Sequence, residues 1–259
     1  MKSLAITGRM AALLIAGLGF GSMPVLASET GGAGGWEFGA EIYVWGAELN
    51  STTPGGASID IPFDSILDNL DMTFMGVFAA RRDRWTFATD IIYMDLSHRK
   101  DFDLATPPVA GSAKAELSSW IITPTASYNV ADEGRLRFDV LGGLRYLDIE
   151  AKLNLNLDGP RPDGFAVSGR DSFSDLNGIL GAKGRFALTD HWYLGAYGDL
   201  GAGDSDFTWQ VIGLVGYRFE TFELNAGYRY LDFQFDKGDN DLMDELVTKG
   251  PFAGALFRF

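Results

Sequence analysis

The chain ends Gly250-Pro251-Phe252-Ala253-Gly254-Ala255-Leu256-Phe257-Arg258-Phe259, and this stretch decides how the rest is read. At the period of two that a β-strand imposes, Ala253, Ala255, Phe257 and Phe259 share one face. Gly254, Leu256 and Arg258 share the other. A small or aromatic outer face ending on a phenylalanine suits a wall against lipid, with rings at the lipid–water boundary. Lipid offers no water to unpaired backbone groups, so such a strand must pair on both edges, and the first strand of the chain is the natural partner. The expectation is an all-β, transmembrane, antiparallel up-and-down β-barrel over residues 36–259.

The other end of the chain has the pattern of an export signal. Lys2 and Arg9 supply positive charge, Met10 to Phe20 an apolar run, and Val25-Leu26-Ala27 a small-residue cleavage site before Ser28. That run is shorter than the roughly 20 residues a membrane-spanning helix needs. Residues 1–27 are therefore expected to be removed, leaving Ser28 to Gly35 as a flexible leader. The composition fits an exported barrel: 33 glycines, 13% aromatic residues and no cysteine in 259 residues. A mean hydropathy of +0.02 is what alternation between polar and apolar residues averages to. The formal net charge of −14 argues against nucleic acid as a partner.

From Trp36 onward ten alternating segments can be marked; merging one pair would leave eight. Tight turns at 82–84, 131–134, 189–191 and 220–221 separate them at one end. Connections over 50–71, 97–112, 156–172, 201–204 and 236–245 are expected at the other. Short periplasmic turns and longer outer loops are the asymmetry of outer-membrane barrels, and an even strand count puts both termini in the periplasm. Pro124 interrupts the fourth segment, where a bulge is expected because proline cannot donate to the ladder. In the first long connection, Asp64 or Ser65 could cap one helical turn with Ile66, Leu67 and Leu70 as its apolar side. Trp85, Phe138, Phe186, Trp192, Phe219 and Phe259 form the expected periplasmic aromatic girdle, and Tyr93, Trp120, Tyr146, Trp209 and Tyr230 the outer one.

The faces opposite lipid gather charge. Glu41, Asp90, Arg137, Asp139, Arg145, Asp175, Lys183, Arg185, Asp199, Arg218, Glu223 and Arg229 are expected to share a narrow lumen. Mixed signs there suit ion-pair ladders, since a buried charge is costly unless paired. Such an interior is either a polar plug or a narrow passage whose charges select solutes. A wall of ten strands lies between filled eight-strand barrels and wide porins. Chemistry is thinly represented. Without cysteine and with only two histidines, a thiol nucleophile or multi-histidine metal site is excluded, and no cofactor or metal is expected. His98 beside Asp95 at the outer rim and the acidic loop Asp236 to Asp241 both suit solvated surface better than catalysis or an EF-hand-type site.

Several stretches resemble a group of small bacterial outer-membrane β-barrels. They are Phe63-Asp64-Ser65-Ile66-Leu67-Asp68-Asn69-Leu70-Asp71 with Phe74-Met75-Gly76, then Gly142-Gly143-Leu144-Arg145-Tyr146. Gly203-Asp204-Ser205-Asp206-Phe207-Thr208-Trp209-Gln210 and Gly227-Tyr228-Arg229-Tyr230 complete the set. More broadly the chain is similar to the membrane domains of OmpA-like and OmpW-like proteins, without a periplasmic peptidoglycan-binding domain after the closing strand. The resemblance implies that Phe257 and Phe259 are the signal read by the barrel assembly machinery. It also implies outer-membrane lipid and lipopolysaccharide as the surroundings. The charged inner faces point to porin-like passive passage of small solutes through a narrow lumen; the alternative is a structural or surface-interaction barrel with a plugged lumen, and a weaker third is a surface protease or lipid-modifying enzyme.

Overall fold

The computed structural model describes residues 35–52, 58–68, 70–105, 108–158, 165–235 and 244–259. The expected signal segment and nearly all of the leader lie outside them. In chain order the elements begin with β1 (Glu37–Trp45), β2 (Glu48–Thr52), β3 (Ser58–Ile61) and the short helix α1 (Phe63–Asp68). Then come β4 (Leu70–Arg82), β5 (Trp85–Ala105), β6 (Pro108–Glu133), β7 (Leu136–Asp158) and β8 (Phe165–Ala187). The chain ends with β9 (Trp192–Gly203), β10 (Phe207–Arg218), β11 (Phe222–Gln234) and β12 (Glu245–Arg258). No helix among the described residues is long and apolar enough to cross a membrane.

The strands pair antiparallel in the order β1-β4-β5-β6-β7-β8-β9-β10-β11-β12, and β12 pairs back onto β1 from Gly39↔Arg258 to Trp45↔Phe252. Phe38 and Phe259 complete the seam by exchanging both backbone hydrogen bonds at 3.0 Å. The wall is closed and has ten strands. β2 continues the line of β1 along β12 after Gly46-Ala47, and β3 folds back onto β2, so neither adds a strand to the ring. Closure leaves no wall edge for lipid to meet.

Along each strand exposure alternates, and the apolar members face out: Ile42, Val44, Phe78, Phe87, Val140, Leu180, Leu194 and Leu224 are all exposed. On the closing strand Phe257 and Phe259 are exposed while Leu256 is buried. The tight turns fall where expected. Four corrections concern the rest of the chain. The stretch over 97–112 is not a loop: β5 and β6 stay paired out to Ala105↔Pro108. Pro108 opens β6, a position where proline gives up nothing to the ladder. Likewise β7 and β8 stay paired to Leu157↔Phe165 across most of the expected 156–172 loop. The 50–71 connection holds β2, β3 and α1, and Ile66 of that helical turn is buried as expected. Finally, Pro124 carries no bulge. The ladder to β5 runs through Thr89↔Pro124, and the irregularity sits at Asn129/Ala131. On the other side the ladder to β7 skips Thr123 and Pro124 and resumes in the same register at Thr125↔Gly143, where a Cβ on Gly143 would lie 2.3 Å from the Pro124 carbonyl oxygen.

Candidate functional site

Two aromatic belts mark the depth of the wall. Trp85, Phe138, Phe186, Trp192, Phe219 and Phe259 are exposed at the tight-turn end. Toward the other end Tyr93 meets Trp120 at 4.5 Å between ring centroids and Trp209 stacks on Tyr230 at 4.7 Å, with Tyr146 alongside on β7. Between the belts the outer face is apolar. The membrane-spanning part of each strand is the stretch between them.

Inside, near the tight turns, one carboxylate gathers three guanidiniums. Glu223 accepts from Arg185 Nη2 at 2.9 Å and Nη1 at 3.2 Å, from Arg218 Nε at 3.0 Å, and from Arg258. Tyr193 Oη also donates to it at 2.8 Å, and the Arg185 guanidinium lies over the Tyr193 ring at 3.4 Å. Gly216 makes the room: a Cβ there would stand 2.1 Å from Tyr193 Cζ. Beside this group Arg137 pairs with Asp139 and Asp132, each at 3.4 Å, and Asn129 Nδ2 donates to Asp139 at 2.6 Å. Lys183 Nζ stands 4.0 Å from Asp139, and Arg81 is 4.0 Å from Glu37.

At mid-depth a chain of polar groups crosses the interior. Tyr43 Oη donates to Asp90 Oδ1 at 2.7 Å, and Arg229 Nη1 donates to Asp90 Oδ2 at 3.2 Å. Arg229 also reaches Gln210, which accepts from Arg145 Nη2 at 3.2 Å. Arg145 pairs with Asp199 at 2.6 Å, and Tyr197 Oη donates to the same Asp199 oxygen at 2.5 Å. The result is two Tyr–Asp–Arg units joined through Gln210. Two cations balance two carboxylates, so the group is neutral. The side chains of Arg145 and Asp199 are both 0% exposed. Burial this complete is tolerable because each charge is paired and hydrogen-bonded.

Beyond mid-depth the interior turns apolar. On the face of β5 that carries Asp90 the next inward residues are Ile92, Met94 and Leu96. After Arg145 on β7 come Leu147, Ile149 and Ala151, and after Arg229 on β11 come Leu231, Phe233 and Phe235. Ile92, Leu147, Leu231 and Phe233 are 0% exposed. At the same level the outer face becomes polar: Asp95, then Asp148, Glu150 and Lys152, then Gln234, with Asp232 on that face but buried. Outside the membrane water lies against the wall, so the hydrophobic effect drives apolar side chains inward.

Eleven of the twelve residues expected in one lumen lie in the membrane-spanning interior. Asp175 stands apart. It is buried on β8 beyond the outer belt, bonded to Asn177, and burial together with the nearby Asp204 charge pushes its carboxyl up to about 6. Sequence reasoning missed the tyrosines that complete the polar chain, the basic residues Arg81 and Arg258, and the whole apolar layer. A signal for that layer exists. Tyr93-Met94-Asp95-Leu96, Tyr146-Leu147-Asp148-Ile149 and Tyr230-Leu231-Asp232-Phe233 repeat one pattern on three strands. In each, tyrosine faces the membrane boundary, aspartate takes the next outward position (partly exposed at Asp95 and Asp148, buried at Asp232), and the two apolar residues face in. The side chain of His98 and the 236–241 acidic stretch lie outside the described residues, so neither the Asp95–His98 couple nor the acidic loop is placed.

No family model matches the chain, and no curated protein matches it. Solved structures similar to it include Ail, the attachment invasion locus protein of Yersinia pestis (11% identity over 87% of this chain and 99% of that one, TM-score 0.35). Others are Neisserial surface protein A (13% identity, 88% and 100%, TM-score 0.32) and the translocator domain of the autotransporter NalP from Neisseria meningitidis (13% identity, 87% and 89%, TM-score 0.39). Likenesses at this level assign no function. The closed wall, the apolar band between two aromatic belts and the polar interior make the chain a small, integral outer-membrane β-barrel.

Proposed function

We propose that this barrel is closed to solutes along its axis and serves as a rigid mount for the part of its sheet that stands outside the membrane. That is the structural or surface-interaction role, with porin-like passage as the alternative. The observation that carries the reading is the layered interior: a neutral polar chain with no solvent contact at Arg145 and Asp199, followed by apolar side chains that water does not reach. For solutes to pass, the Tyr43–Asp90–Arg229–Gln210–Arg145–Asp199–Tyr197 chain would have to part and the apolar layer would have to open. Strand length supports the display role. A barrel strand spans the membrane in about 9–11 residues, while β5, β6, β7 and β8 run to 21, 26, 23 and 23. Neighbouring β9 and β10 have 12 each. Four strands thus project well past their neighbours, with Glu116, Asp148, Glu150, Lys152 and Arg170 among their partly or fully exposed polar residues.

The tight turns and both termini belong on the periplasmic side in this reading, and the tall sheet on the outside, as the turn asymmetry of such barrels requires. Conductance of the refolded chain from Ser28 to Phe259 in a planar bilayer tests it. A folded, silent barrel is the expected result. Steady single-channel steps altered by Arg145→Ala would overturn the closed reading in favour of passage.

A further inference from the structure

The interior charges are balanced at mid-depth but not at the tight-turn end. There Arg81, Arg137, Lys183, Arg185, Arg218 and Arg258 project from the tight-turn ends of their strands. Facing them inside are Glu41, Asp139 and Glu223, with Glu37 and Asp132 at the rim, where their side chains are 30% and 58% exposed. Six cations against three enclosed carboxylates make this the basic pole of a chain whose net charge is −14. The two halves of the cluster touch, since Arg137 lies directly opposite Arg185 in the β7–β8 ladder. Within each half the cations repel one another: Arg81 and Arg137 act on Lys183, and Arg185 and Arg218 on Arg258.

We infer that this basin binds a small, multiply charged oxyanion entering from the tight-turn mouth. Lys183 is 3% exposed, yet the ion-pair contact of its ammonium is 4.0 Å, beyond hydrogen-bond reach of Asp139. A buried ammonium with three donors and no carboxylate in bonding range is a position an anion would stabilise. The Nε of Arg258 is likewise buried without an acceptor. Guanidiniums in this number match the oxygens of a phosphate-like group through paired, charge-assisted hydrogen bonds. Access is present, because the Arg218 and Arg258 side chains are partly exposed at the mouth. The basin lies inside the wall, so a lipid headgroup would have to leave its leaflet to reach it; the ligand is soluble. The neutral polar chain stands farther up the interior, so anion binding at the basic cluster does not depend on whether that chain ever parts.

The test uses protein extracted from outer membranes of cells expressing the full chain, titrated calorimetrically with inorganic phosphate at constant ionic strength in chloride. Saturable binding is expected, weakened at least ten-fold in Lys183→Gln and in Arg258→Gln and unchanged in Arg170→Gln, whose side chain is exposed on the outer sheet. Heat-modifiable electrophoretic mobility reports whether each variant is folded. If Lys183→Gln does not fold, Arg258→Gln decides alone, because its side chain sits at the open mouth. No saturable phosphate binding, or equal binding in the folded variants and the parent, would overturn the inference. Neither result depends on whether the barrel conducts.

Discussion

The same strands obey opposite rules in two regions of this molecule. Between the aromatic belts Leu144 and Tyr146 of β7 face out while Arg145 is buried; a few residues on, Leu147 and Ile149 are buried while Asp148 and Glu150 take the outward positions. The backbone alternation never slips through this stretch, since β7 keeps one register with β8 from Leu136↔Phe186 to Leu157↔Phe165. What changes is the solvent against the outer wall. Lipid rewards apolar side chains outside and forces polar ones inward, and water reverses the preference. The difference teaches where the membrane ends, and it explains why the interior is a network of charged and polar groups in one region and a hydrophobic core in the other.

The sharpest break in this comparison is Arg145→Ala. It leaves Asp199 buried without its cation, which should cost about 3–5 kcal/mol. Urea unfolding in lipid vesicles, with heat-modifiable mobility as a second readout, would show it; an unchanged midpoint would mean that water enters at mid-depth. In the outer region the same experiment on Leu147→Ala should cost about 2–5 kcal/mol, as for any large-to-small change in a packed core. Leu180→Ala, on a lipid-facing site that is 75% exposed, should cost much less. Arginine substitutions sharpen the boundary. Val140→Arg, within the lipid-facing band, should destabilise by about 2–4 kcal/mol. Ser172→Arg, on the outward face of β8 opposite Glu150 and beyond the outer belt, should fall within about 0.5 kcal/mol of the parent.

The smallest effect expected is pH-linked. The Asp175 carboxyl is pushed up to about 6, so the folded barrel holds that proton more tightly than the unfolded chain does. Its contribution is therefore fully present below the ordinary carboxylate range and is lost as pH rises through about 6. Asp175→Asn should raise the thermal midpoint at pH 8 relative to the parent and do little at pH 4. Equal shifts at both would mean that the ionised carboxylate carries no penalty there.

Much of the wall was legible in the chain itself. Period two from Trp36 to Phe259, the tight turns and the aromatic ends of strands were sufficient for ten strands and for which face of each meets lipid. The tall hairpins over 97–112 and 156–172 were misread as loops because exposed polar residues such as Arg99 and Arg170 look like loop residues when lipid is assumed to be outside. The Tyr-apolar-Asp-apolar repeats at 93–96, 146–149 and 230–233 carry the correction, since they reverse the apolar phase without breaking the alternation. The partners inside the barrel were not legible. Tyr43 meets Asp90, Arg145 meets Asp199 and Arg229 meets Asp90 across 47, 54 and 139 residues of chain. Periodicity fixes the side of the wall a residue takes, whereas closure of the ring fixes which charge it meets.

One scan tests the two-region account most directly. The chain has no cysteine, so single cysteines can be placed along β7 from residue 138 to 153 and spin-labelled without background. Collision with oxygen reports lipid, and collision with a water-soluble nickel chelate reports water. The account predicts oxygen contact at 138, 140, 144 and 146, nickel contact at 148, 150 and 152, and neither at 145, 147, 149 and 151. Nickel contact at those last four positions would mean a water-filled axis, and the closed, two-region interior would be wrong.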